Sequence, residues 1–107
     1  MTIIRVAARS RPATVAGVIA RVVRERRRAK AQAIGAKAVN QAIKAVIIAR
    51  QYLALDGMDV ICLPEFTEVD IGGLERTAIR IIVEPRLGPP PQTDPEAEDG
   101  RPDTELF

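Results

Sequence analysis

The sequence predicts an α/β protein of the two-layer α+β type, with two helices packed on a four-stranded mixed sheet in the order βαβαββ. Three observations predict it. Two segments, on either side of residue 29, carry apolar residues at helical spacing. Each follows a short apolar run suited to a strand. Two longer extended runs then meet at Gly72-Gly73, which is a hairpin signal.

Taken in order, Ile3, Ile4, Val6, Ala7 and Ala8 suggest a first strand with apolar groups on both faces, ending before the turn Arg9-Ser10-Arg11-Pro12. Ser10 is placed to cap the helix that follows, and Pro12 falls in its first turn, where a missing N–H costs little. Val15, Val18, Ile19, Val22 and Val23 then recur at helical spacing to about Arg27, with Ala16 and Gly17 permitting close packing. Ala29 to Ile34 is a weaker strand. Gly35 turns the chain into the clearest helix, whose stripe Ala38, Ala42, Val46, Ala49 and Leu53 is widened by Val39, Ile43 and Ala45. Lys37, Gln41, Lys44 and Gln51 gather on the other side. Ile48 lies among them, an apolar residue on a polar face that suits a subunit interface better than water. After Asp56-Gly57, Met58 to Leu63 reads as a strand that Pro64 should break or bulge. Phe66, Val69 and Ile71 continue it to the turn. On the return strand Ile79, Ile81 and Val83 share one face, and Arg76, Arg80 and Glu84 the other.

The formal charge of +2 averages two unlike parts. Residues 1 to 86 hold fifteen basic and eight acidic side chains; residues 87 to 107 hold Arg101 against Asp94, Glu96, Glu98, Asp99, Asp103 and Glu105. With Pro89-Pro90-Pro91, Pro95 and Pro102 and few groups able to bury themselves, the second part is expected to be a disordered acidic tail. The domain is therefore expected to span residues 1–86. The tail could screen the basic body from anions.

The chain of 107 residues has no histidine, one cysteine and one tyrosine, which removes most parts of acid–base, nucleophilic and metal chemistry. The expectation is a protein that is not an enzyme, with no cofactor, no metal and no small-molecule substrate. Cys62 sits in Val60-Ile61-Cys62-Leu63, where it reads as a buried small hydrophobe. No apolar stretch approaches the ~18 residues of a membrane span. The start of the chain lacks the pattern of a signal peptide, so the cytoplasm is the expected compartment. A body of this size buries a limited share of its surface, which favours a homodimer or higher homo-oligomer.

Binding remains. Lys37, Asn40, Gln41 and Lys44, near the start of the second helix, can present donors to phosphates where the peptide dipoles also favour an anion. Arg9 and Arg11 flank Ser10 in a turn that could do the same. The run Arg21, Arg24, Arg26, Arg27, Arg28 and Lys30 is more basic still, yet it falls at a helix C-terminus, where cations complement the dipole. Gly72-Gly73 has no following helix and no suitably placed lysine, so it is a turn and not a phosphate loop.

The run from Ala33 to Val46, Ala33-Ile34-Gly35-Ala36-Lys37-Ala38-Val39-Asn40-Gln41-Ala42-Ile43-Lys44-Ala45-Val46, followed by Ile48-Ala49-Arg50, resembles the stage V sporulation protein S family of bacteria. Val15-Ala16-Gly17 with Arg24-Glu25-Arg26, Asp59 to Pro64 with Phe66-Thr67, and Glu75 to Ile79 with Ile82 to Arg86 extend the resemblance over residues 3 to 86. That family is similar to the Alba proteins, which share the βαβαββ order and bind DNA or RNA as dimers. The resemblance implies contacts with nucleic-acid backbone from the stretch entering the second helix, here Gly35, Ala36, Lys37, Asn40 and Gln41. It also implies contacts from the turn after the first strand, here Arg9, Ser10 and Arg11, at the same end of the sheet. It implies further a regulatory role linked to sporulation or cell development. One departure is the hairpin tip, where Glu68, Asp70 and Glu75 face Arg76 and would be repelled by phosphate. The expected function is binding of DNA or RNA mainly through phosphate; the alternative is a protein-interaction or assembly module.

Overall fold

The computed structural model describes residues 3–87. Its elements are β1 (Ile3–Val6), α1 (Pro12–Arg26), β2 (Ala29–Ala33), α2 (Ala36–Ala54), β3 (Val60–Ile71) and β4 (Leu74–Pro85). The order βαβαββ and the two layers are those expected from the sequence. The tail expected over residues 87–107 lies, apart from Leu87, outside the described residues.

The sheet runs β1-β2-β4-β3, with β1 parallel to β2 and the other pairs antiparallel. Each of the parallel strands feeds a helix on the same face, so α1 and α2 both begin at the end of the sheet where β1 and β2 finish. Register fixes which residues look at the helices. Ala29, Ala31 and Ala33 of β2 stand beside Val83, Ile81 and Ile79 of β4, and with Ile4 and Val6 of β1 they form the floor of the core. Ile19, Val23 and Leu53 are fully buried above it. Half of the eighteen core residues are alanines, so the helices approach the sheet and each other closely, and the few large side chains fill what space is left.

Local chemistry departs from the sequence reading in several places. Strand β1 stops at Val6 because Ala7 N–H donates to Ser10 Oγ at 2.8 Å and Ser10 N–H donates to the Ala7 carbonyl at 3.0 Å, closing a turn. Ser10 therefore caps that turn and not α1, whose N-cap is Arg11 with no side-chain bond. Gly17 lies exposed with nothing near a notional Cβ, so only Ala16 serves the close packing. Pro64 neither breaks nor bulges its strand, for it pairs in register with Ile81. β3 is an edge strand, where the absent N–H can face solvent without breaking the ladder. Gly72 and Gly73, at φ 61° and 82°, close the hairpin as a two-residue turn that needs positive φ at both positions. Gly73 N–H donates to Asp70 Oδ1 at 2.8 Å.

Cys62 is exposed and not buried as expected. The helices cover β1, β2 and β4, and on β3 their shelter reaches only Val60. Beyond that residue the helix-side positions Cys62, Pro64 and Phe66 have no layer above them. Ile48 is half-buried and packed against the core, and on α2 the exposed isoleucines are Ile43 and Ile47.

At the far end of α2, Arg50 donates to both oxygens of Asp59, at 2.6 and 3.1 Å. That hydrogen bond, opposed by partial burial and aided by the Val60 amide and by the charges of Arg50 and Arg86, holds the Asp59 carboxyl below its usual range. A carboxyl with a depressed folded pKa stabilises above its unfolded value, about 3.9, and that stability is lost as pH falls through the folded value. Since Arg50 is 54% exposed, screening limits the pair to about 0.5–1 kcal/mol. Asp59→Asn is expected to lower stability to urea by that amount at neutral pH and by progressively less as pH falls below the ordinary carboxylate range; a loss that does not shrink with acidification would contradict this account.

Candidate nucleic-acid interface

Two segments meet where β1 and β2 end. The turn at residues 7–11 leads into α1, and Ile34-Gly35 leads into α2, with Gly35 at φ 89° as its N-cap. Gln41, one turn into α2, reaches across and donates its Nε2 to the Ser10 carbonyl at 2.8 Å. This half-buried bond fixes the spacing of the two segments and therefore of every cation they carry.

Arg9, Arg11, Gly35, Ala36, Lys37, Asn40 and Lys44 are all exposed. Among the described residues, none of the four cations in that set has an ion pair. No acidic residue occupies the first turn of either helix, so the N-terminal amides and these side chains present an uncompensated positive surface. Of the sequence-predicted positions, Ser10 and Gln41 are the two whose side chains are already engaged, Ser10 with the Ala7 amide and Gln41 with the Ser10 carbonyl. They position the site rather than face outward.

The other basic stretch lies at the C-terminal end of α1, where two of its six cations are paired while Arg21, Arg26, Arg27 and Lys30 have no ion pair among the described residues. Arg24 pairs with Asp56 and donates to the Tyr52 carbonyl at 3.4 Å, Arg28 approaches Glu84 at 3.6 Å, and the Arg27 amide closes the helix on the Val23 carbonyl. The hairpin beyond β2 pairs Asp70 with Glu75 and Glu68 with Thr77, whose hydroxyl donates to Glu68 at 2.9 Å. Its tip is acidic, as the sequence indicates.

A feature the sequence reading missed is an apolar face beside α2. Ile43 is 39% exposed, Ile47 53% and Phe66 78%, and with Cys62 and Pro64 they lie on the helix side of the overhanging strand β3. The signal was present as the i, i+4 pair Ile43/Ile47, but it reads as core until the position of α2 above the sheet is known.

Among the described residues no helix is long and apolar enough to cross a membrane, and no three His, Cys, Asp or Glu side chains are grouped to hold a metal ion. The family model described as stage V sporulation protein S (SpoVS) matches residues 2–86.

Gln41→Ala is expected to cost about 1 kcal/mol, the worth of one part-buried hydrogen bond, and to speed hydrogen exchange at the Ala7 and Ser10 amides without unfolding the protein. Unchanged exchange there would show that the turn is held by other contacts.

Proposed function

The chain belongs to the stage V sporulation protein S family, and from that premise we propose that it is a regulatory protein that binds DNA or RNA through phosphate and acts as a homodimer or higher homo-oligomer. Membership implies a role linked to sporulation. The observation that carries the nucleic-acid reading is the cluster of unpaired cations around two adjoining helix N-termini, at a spacing set by the Gln41–Ser10 bond. Phosphate oxygens would take bonds from Lys37, Lys44, Arg9 and Arg11 and from the free amides of the first helical turns. The side chains there are cations and one short amide, so the contact follows the backbone and reads little sequence. A duplex or a structured RNA suits this surface better than a stacked single strand, because the exposed aromatic among the described residues, Phe66, belongs to the apolar face and not to the cationic one.

That apolar face supports self-association. Ile43, Ile47, Pro64 and Phe66 are exposed on the helix side of the sheet, apolar groups of the kind that a second copy buries. The same face also favours the alternative reading, an assembly module whose cations only keep it in solution.

Lys37→Glu is expected to weaken binding to duplex DNA or structured RNA and to lower the slope of log affinity against log salt by about one. Filter or polarisation titrations over a salt series test this, and equal binding by both proteins would remove Lys37 from the interface. For the oligomer, Ile47→Asp is expected to shift the mass measured by light scattering toward monomer with stability unchanged, whereas Ile48→Asp should cost on the order of 2 kcal/mol or more of stability by placing a charge against the core. An unchanged mass in Ile47→Asp would exclude this face. Nucleic-acid binding absent from a wild-type protein that still self-associates would leave the assembly module as the function.

A further inference from the structure

The face of the sheet turned away from the helices carries a row of polar residues, one from each strand. Register aligns Arg5 of β1 with Gln32 of β2, Gln32 with Arg80 of β4, and Arg80 with Glu65 of β3. Over this row lies a cleft of about 920 Å³ between the sheet and the hairpin tip, with Ile3, Val69 and Ile71 among its walls and Arg5, Gln32 and Arg80 reaching it. That volume is in the range that accommodates a small molecule.

Arg80 is the unusual member. Its side chain is 24% exposed, its Nη1 stands 3.8 Å from Glu65 Oε1, and its Nε is buried with no hydrogen-bond partner. A buried guanidinium N–H without an acceptor costs about 1–3 kcal/mol unless something outside the chain supplies one. Arg5 and Gln32 likewise have no side-chain hydrogen bond or ion pair among the described residues. The acid nearest the cleft, Asp70, already spends one oxygen on the Gly73 amide. The cleft thus offers unused donors and the charges of Arg5 and Arg80 on its floor, set against the carboxylates of Asp70 and Glu65, and hydrocarbon on its walls.

The geometry points to a binding site for a small organic anion, whose carboxylate or phosphate head takes the free N–H groups of Arg80, Arg5 and Gln32 and whose apolar or planar body lies between Ile3, Val69 and Ile71. A guanidinium fork matches either head group, and the walls select against the bare ion. The cleft adjoins the cationic surface through Ala7, Ala8, Ile34 and Ala38, but its donors, Arg5, Gln32 and Arg80, are on the sheet and are none of the cations of that surface.

The test titrates the full chain with AMP, with hexanoate and with inorganic phosphate, followed by amide shifts of residues 32, 69–72 and 80. AMP or hexanoate is expected to bind at this cleft at least about tenfold more tightly than inorganic phosphate, and the stronger of the two identifies the head group. Arg80→Met should weaken that binding at least about tenfold. Ile71→Glu, at a position 53% exposed whose replacement leaves the core untouched, should weaken it as well by adding like charge to the wall. Arg26→Glu, at the C-terminal end of α1, should leave it unchanged. Organic anions that bind no better than phosphate, binding that survives both Arg80→Met and Ile71→Glu, or no binding by any probe would overturn the proposal, with water then the acceptor for Arg80 Nε.

Discussion

The architecture depends on the small side chains of β2. Ala29, Ala31 and Ala33 lie beneath both helices, between β1 on one side and β4 on the other. Any larger residue there would lift the helices off the sheet and open the space that Ile19, Val23, Leu53, Ile81 and Val83 fill. Alanine contributes little transfer energy of its own. What it permits is close approach, and α1 and α2 answer with alanines at positions 16, 20, 38, 42, 45 and 49.

From that packing follows the polarity of the molecule. Parallel pairing of β1 and β2, each followed by a helix on one face, brings both helix N-termini to one end and both C-termini to the other. At the C-terminal end Arg24, Arg50 and Arg28 pair with Asp56, Asp59 and Glu84, and Arg26 and Arg27 lie at the negative pole of the α1 dipole. At the N-terminal end Arg9, Arg11, Lys37 and Lys44 have no such partners among the described residues. A net charge of +2 would not distinguish the two ends.

The same packing leaves surfaces uncovered. Two helices span three strands, so β3 overhangs and exposes Cys62, Pro64 and Phe66 beside Ile43 and Ile47. The opposite face has no helical layer, and there the hairpin tip and the row Arg5, Gln32 and Arg80 border an open cleft. Both surfaces arise from one cause, a sheet wider and longer than the layer that covers it.

By itself the sequence determined the element order, the two helices, the hairpin turn and the segments that carry the candidate cations, because helical period, alternation and paired glycines are local properties of the chain. It also held a specific resemblance across residues 3 to 86. Only the tertiary structure decided that Ile48 of α2 is packed against the core and Ile47 is not. It decided too that Cys62 is open, that Pro64 sits harmlessly on an edge, that Ser10 closes a turn instead of capping a helix, and that Gln41 spends its amide on the Ser10 carbonyl. Each of these turns on a neighbour distant in the chain, and periodicity reports only that a residue has a side, never what stands on it.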